Sequence, residues 1–174
     1  MPSFEEIMLP HLPNAYNLAR WLLRNEHDAE DSVQEAYLRA YKAFGQFRGD
    51  GDGRAWLLTI VRNVCYTRLR KNQKTDLHEP FDESLHGAGD DRAEAAERLR
   101  GEVGAELLRE ALAVLPEKMR EMIILHDLEG LPYREIAEVA GIPLGTVMSR
   151  LARARERLHR ELLGLLAKET SHGL

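Results

Sequence analysis

The sequence predicts an all-α fold: two small helical domains joined by a flexible acidic linker. Apolar residues recur at i, i+3, i+4 spacing through most of the chain and nowhere alternate over a useful strand length. A stretch rich in proline, glycine and acids, TDLHEPFDESLHGAGDD over Thr75–Asp91, breaks that period near the middle and reads as a solvated linker. The 174 residues, 44% hydrophobic and only 6% aromatic, suit two small cores better than one large catalytic scaffold. The boundaries drawn are a first domain over 1–75, a linker over 76–93 and a second domain over 94–174.

Each element has its own signal. A first helix is expected over Phe4–Arg24 from Leu12, Tyr16, Ala19 and Leu23, with Pro10 and Pro13 disturbing its early turns. The clearest helix starts at a capping Asp28, carries Ala29, Val33, Ala36, Tyr37, Ala40, Tyr41 and Phe44 on one stripe, and stops at Gly45. The glycine-rich loop FRGDGDG then leads into a helix over about Arg54–Lys71. Its apolar arc of Trp56, Leu57, Ile60, Val61 and Val64 leaves Arg62, Tyr66 and Leu69 on the other side. Beyond the linker, Glu94–Val114 has a stripe of Leu99, Val103, Leu107, Leu108, Ala111 and Leu115, and Pro116 forces a new start. Three shorter pieces follow, Glu117–Asp127, Pro132–Val139 and Leu144 to about Leu166, with Ala167–Leu174 expected to fray.

Composition excludes several classes. No apolar run approaches the roughly 18 residues of a membrane span, and Glu5 and Glu6 stand where a signal peptide would carry cations, so a cytoplasmic protein with no membrane insertion is expected. The single cysteine, Cys65, forbids an internal disulfide and a cysteine-rich zinc site. His11, His27, His126 and His159 lack paired spacing, and Glu30, Asp31, Gln34 and Glu35 read as a solvated or partner-binding face rather than a metal site. No Walker or Rossmann glycine loop occurs. No catalytic residue, metal or cofactor is therefore expected.

Net charge is −5, but its distribution matters more than its sum. Met1–Thr75 has 11 basic and 9 acidic residues, Asp76–Arg100 has 3 and 8, and Gly101–Leu174 has 10 and 12, so the linker region holds the deficit. Within Ile142–Arg160, five arginines stand against Glu156 alone. That cationic stretch coincides with a helix-turn-helix pattern: Tyr133–Ala140, a turn at Gly141, then Leu144 onward, with small Ala137 at the crossing and apolar Val147 inward. On a helical wheel Val147, Leu151, Ala154, Leu158 and Leu162 share one arc, and Ser149, Ala152, Arg153, Glu156 and Arg160 face the opposite way. Ser149 and Arg153 are placed to read base edges in a major groove, and Thr146 and Arg150 to hold the backbone.

Taken in order and spacing, HDAEDSVQEAYLRAYKAFGQFRG, AWLLTIVRNVCYTRLRK and LPYREIAEVAGIPLGTVMSRLARARERL resemble regions 2 and 4 of the bacterial extracytoplasmic-function (ECF) sigma factors. The resemblance covers nearly the whole chain. It implies that Asp31, Gln34, Glu35 and Leu38 dock on a coiled coil of the large subunit of core RNA polymerase, with the polymerase flap a further contact. It implies minus-10 promoter DNA for Arg48, Asp50, Arg54, Arg62, Asn63, Tyr66 and Arg70, the first three around a loop that holds an unstacked base. It implies minus-35 DNA for Thr146, Ser149, Arg150, Arg153, Arg155 and Arg157. An anti-sigma factor is the implied regulator, with Leu38, Leu58 and Leu69 as exposed apolar contacts, and the free factor is expected to be a monomer.

Two positions depart from the family pattern. Thr67 stands where Asp is common, and Met148 where a cation is common, which implies a different minus-35 preference. The acidic linker, repelled by DNA, is expected to thread a basic polymerase channel. Two other readings share these features: a sigma-like mimic that binds only an anti-sigma protein, and a stand-alone helix-turn-helix regulator. The retained arginines of the recognition helix count against the first. The first 75 residues, which would have no role, count against the second.

Overall fold

A computed structural model describes residues 2–74 and 95–172, and the linker expected over 76–93 lies wholly outside them. Every regular element among the described residues is helical. The expected first helix is three pieces: α1 (Phe4–Met8), a 3₁₀ turn (Leu9–His11) and α2 (Leu12–Leu23). The prolines explain the division, because Pro10 and Pro13 each occupy a first-turn position where no N–H is required. Ser3 and Glu6 form a reciprocal capping box at 3.2 and 2.7 Å. Helix α2 ends at Arg24, whose left-handed φ of 57° turns the chain sharply.

Helix α3 (Glu26–Ala43) starts earlier than expected. Its cap is Asn25, whose Oδ1 accepts the Asp28 N–H at 2.9 Å, so the expected capping role of Asp28 is wrong by one turn. Asp28 instead lies in the first turn, where the helix dipole favours a carboxylate, and pairs with Arg68 at 3.2 Å. A 3₁₀ turn (Phe44–Gln46) and the glycine loop lead to α4 (Arg54–Lys74).

In the second domain α5 (Ala95–Ala113) is followed by α6 (Glu117–Ile123). The corner between them is held by the buried Arg120 guanidinium, which donates to the carbonyls of Leu112 (2.9 Å) and Leu115 (3.0 Å) where the chain leaves α5. The helix expected to run on to Asp127 changes to a π-helical turn at Ile124–Leu128, closed by Gly130 at φ 71°. Helices α7 (Tyr133–Ala140) and α8 (Leu144–His172) complete the fold. The expected fraying from Ala167 is not seen: α8 continues to His172 with exposed side chains, since no glycine or proline interrupts it there.

The buried residues form one continuous cluster rather than two separate cores. Ala15, Leu18, Leu22, Ala36, Leu57 and Val61 represent the first domain, and Leu112, Met122, Leu125, Ile136, Val147 and Leu151 the second. Helix α4 lies between them. Leu57, Val61 and Val64 face its own domain, whereas Arg54 and Arg62, one turn either side of Leu58, reach side chains of the second. This double burial corrects the sequence wheel, which left the second side of α4 open.

Candidate nucleic-acid interface

The turn between α7 and α8 forms as its residues require. Gly141 takes φ 66°, a left-handed cap that glycine adopts without strain, and both Gly141 and Ile142 donate to the Ala137 carbonyl. Val147, Leu151 and Ala154 are buried and fix the rotation of α8. Ser149 and Arg153 are consequently exposed, with Thr146 and Arg150 half-buried beside them. Met148 stands 52% exposed next to this face and gives it an apolar patch.

Two of the six residues expected at minus-35 DNA are held in ion pairs within the protein. Arg155 Nη2 donates to Asp127 of the π-helical turn at 2.6 Å, and its Nε to the same carboxylate at 3.2 Å. That hydrogen bond, with the charge behind it, holds the Arg155 pKa above its ordinary value. Arg157 pairs with Glu161 one turn on, at 3.1 Å. On the wheel Arg155 falls beside the buried arc, far from Ser149 and Arg153.

The glycine loop presents Arg48 and Asp50 to solvent. Gly49, Gly51 and Gly53 all have positive φ, and a Cβ on Gly53 would lie 2.9 Å from Ile7 Cγ2 and 3.0 Å from Met8 Cε. Asp52 Oδ1 accepts the Arg54 N–H at 3.0 Å, and the Asp52 carbonyl lies 2.6 Å from His11 Nε2. Beside the loop lies an open, mostly apolar cleft of about 700 Å³, walled by Ile7, Pro10, Phe44 and Phe47 among others.

On α4 the expected minus-10 residues divide. Asn63 and Arg70 are exposed. Arg62, Tyr66 and Arg54 are covered by the second domain. Arg62 Nε and Nη2 both donate to the fully buried Glu121 carboxylate, which also accepts the Tyr66 hydroxyl at 3.0 Å. The Arg62 guanidinium also lies over the Tyr66 ring, 4.5 Å from its centroid. Burial alone would lower the Arg62 pKa, but the hydrogen bond and charge of Glu121 outweigh it and raise it; burial, then Glu121, drive the Tyr66 pKa well above the usual phenol. Arg54 pairs with Glu135 at 3.3 Å. Glu121 has no sequence signal of its own, because an acid inside a short helix says nothing about a partner more than fifty residues away. Thr67 returns its hydroxyl to the Asn63 carbonyl at 2.9 Å, satisfying itself within the helix.

Asp31, Gln34, Glu35 and Leu38 do form one outward stripe on α3. Leu38 is 63% exposed and Tyr41, which the sequence reading placed inward, continues the stripe at 62%. Asp31 lies 3.5 Å from Arg68 and Glu35 2.6 Å from Arg39, so Gln34 and Leu38 are the free members of the four. Of the three leucines expected as exposed contacts for a regulator, only Leu38 is exposed. Leu58 is fully buried and Leu69 half-buried, because the second domain packs over that side of α4.

Residues 7–75 match the Sigma-70 region 2 family and residues 105–158 the Sigma-70 region 4 family. The RNA polymerase sigma-H factor of Pseudomonas aeruginosa is 33% identical over 94% of this chain and 88% of its own. This chain is an ECF sigma factor. The sigma factor is also 34% identical to the ECF sigma factor SigE of Mycolicibacterium smegmatis over 98% of its own length, spanning 65% of that relative. SigM of Mycobacterium tuberculosis is 35% identical over 94% of the sigma factor and 79% of itself. Among solved structures it is similar to RpoE of Bartonella quintana, crystallised with the anti-sigma factor NepR, at a TM-score of 0.75 and 30% identity over 91% of this chain and 96% of the other. It is also similar to CnrH in complex with the cytosolic domain of CnrY, at a TM-score of 0.65 and 26% identity over 92% and 88% of the two chains. No helix among the described residues is long and apolar enough to cross a membrane.

Proposed function

We propose that this sigma factor binds core RNA polymerase through the α3 stripe, reads and opens the minus-10 element with α4 and the glycine loop, and reads the minus-35 element with α8. It acts as a dissociable specificity subunit in the cytoplasm, without catalysis of its own and under the control of an anti-sigma factor. The observation that carries this reading is the outward α8 face of Ser149 and Arg153, cationic within an acidic protein and presented by a glycine-capped helix-turn-helix. Such a face fits a major groove, with base edges read by the arginine fork and the neighbouring side chains on the backbone. Asn63 and Arg70 supply the exposed polar and cationic groups of α4 for the minus-10 strand, and the apolar cleft beside the loop has room for a base taken out of the stack.

The test is run-off transcription with core polymerase and a fragment library of the source genome. Wild type should direct discrete starts, Arg153→Ala should weaken or shift them, and Gln34→Ala/Glu35→Ala should lose polymerase binding. A wild-type chain that binds no polymerase and starts nothing, with no anti-sigma protein present, refutes the reading.

A further inference from the structure

We propose that His11 is a positioning residue for minus-10 opening: its imidazole, presented from the turn before α2, holds the glycine loop in the shape that receives an unstacked base. The proposal rests on the base-holding reading of that loop given above. The loop has little to hold itself. Residues 47–50 take no regular structure, and Gly49, Gly51 and Gly53 all stand at positive φ. Glycine loses more conformational freedom on ordering than any other residue. Open space surrounds the Cβ positions of Gly49 and Gly51, so side-chain packing does not fix the loop tip.

The loop is fixed at its two ends instead. Phe47 stacks on Phe44 with ring centroids 5.9 Å apart and tilts against Trp56 at 5.2 Å. At the other end Gly53 lies too close to Ile7 and Met8 to admit a Cβ, and beside it Asp52 is gripped from two elements. Its carboxylate accepts the Arg54 N–H of α4 at 3.0 Å, and its carbonyl meets His11 Nε2 at 2.6 Å. A carbonyl oxygen only accepts, so Nε2 carries the proton and donates. The imidazole is free for this role because it makes no capping bond to α2, although His11 stands at that helix's N-cap. Pro10 before it and Pro13 after it fix φ on either side, so the donor comes from stiff backbone. His11 and Asp52 also line the cleft of about 700 Å³, with Ile7 and Pro10 on the helical side and Gly49 and Gly51 on the loop side. A pocket whose loop wall is in place for part of the time binds in proportion to that fraction. The His11 bond raises the fraction without touching the base.

The test combines full-length wild type, His11→Ala and His11→Gln with core polymerase on a promoter identified by the run-off library. Permanganate reactivity of unpaired thymines reads opening, and the template is also prepared with an abasic site at each position of the non-template minus-10 strand in turn. His11→Ala should lower the opening equilibrium by about two- to twelvefold, as expected for one hydrogen bond, with polymerase affinity unchanged. His11→Gln, whose side-chain amide also donates, should recover most of that loss. At one abasic position wild-type opening should fall, and there His11→Ala should add nothing, as for two changes that act on one contact. A His11→Ala loss that adds in full at every abasic position, a His11→Gln variant no better than His11→Ala, or an equal loss of polymerase affinity overturns the positioning role. Wild-type opening that no abasic site weakens shows instead that the base-holding reading of the loop is what failed.

Discussion

Arg153→Ala and Arg155→Ala, two residues apart on α8, should have opposite consequences. Arg153 is exposed and has only a long contact, 3.4 Å, from its Nε to the Ser149 carbonyl. Removing it should leave folding stability within about 0.5 kcal/mol of wild type, as for most surface positions. If its fork reads a base, its loss should cost about 1–3 kcal/mol of promoter discrimination, or about 5- to 150-fold in promoter use. Arg155 is engaged by both oxygens of Asp127. Both partners are more than a third exposed, so solvent screening keeps the pair below about 1 kcal/mol. Arg155→Ala should therefore lower the melting temperature by a few degrees at most and loosen the π-helical turn against α8, with a smaller effect on promoter use. The assays are thermal denaturation and run-off transcription across the same promoter set at one salt concentration. Equal loss of promoter use in both variants, with no change in melting for Arg155→Ala, would refute the assignment of Arg155 to an internal role.

Other outcomes follow from the same geometry. Leu38→Glu, at a free and exposed point of the α3 stripe, should cut core-polymerase affinity by at least about tenfold, as for an apolar anchor of an interface, with melting unchanged; titration of labelled polymerase measures it. Gly53→Ala should destabilise the chain by about 1–3 kcal/mol, because its φ of 82° is strained for alanine and its Cβ meets Ile7 and Met8, whereas Gly49→Ala meets open space and carries only the φ penalty. Urea titration of the two variants separates those terms. Burial pushes the Cys65 thiol up to about 12 from an ordinary value of 9.0. Above pH 9 the unfolded chain therefore holds fewer protons than the folded one, and stability should fall by up to about 1.4 kcal/mol per pH unit until the folded thiol also ionises. Cys65→Ala should show a shallower fall over that window in urea titrations at successive pH values, and parallel curves would refute the burial effect.

Much of the fold was legible because its signals are local. The α3 stripe, the Gly141 turn and the inward arc of α8 each follow from residues within a few turns of one another, and they appear where these local signals put them except for Tyr41, which turns outward. Local signals also misled by small steps. Asp28 looked like a cap because it directly precedes Ala29, the first apolar residue of the stripe, whereas the true cap, Asn25, is followed by the polar Glu26 and His27, which carry no apolar period. The inward π-helical turn at Ile124–Leu128 has no marker except the glycine that closes it. What sequence could not supply was the packing of one domain on the other. Arg62, Tyr66 and Leu58 read as an outward side of α4, and they would be one if the first domain stood alone. Their partners Glu121 and Glu135 lie beyond the linker, and no periodicity connects residues so far apart.

The crowding of α4 bears on how such a factor can acquire a new promoter preference. Leu57, Val61 and Val64 are committed to the apolar core, and Leu58, Arg62 and Tyr66 to the packing and hydrogen bonds that the second domain makes with α4, so a substitution at any of them disturbs that packing first. Asn63 and Arg70 carry neither obligation. They are the positions at which evolution, or a designer building mutually insulated sigma factors for synthetic circuits, can vary chemistry at little structural expense.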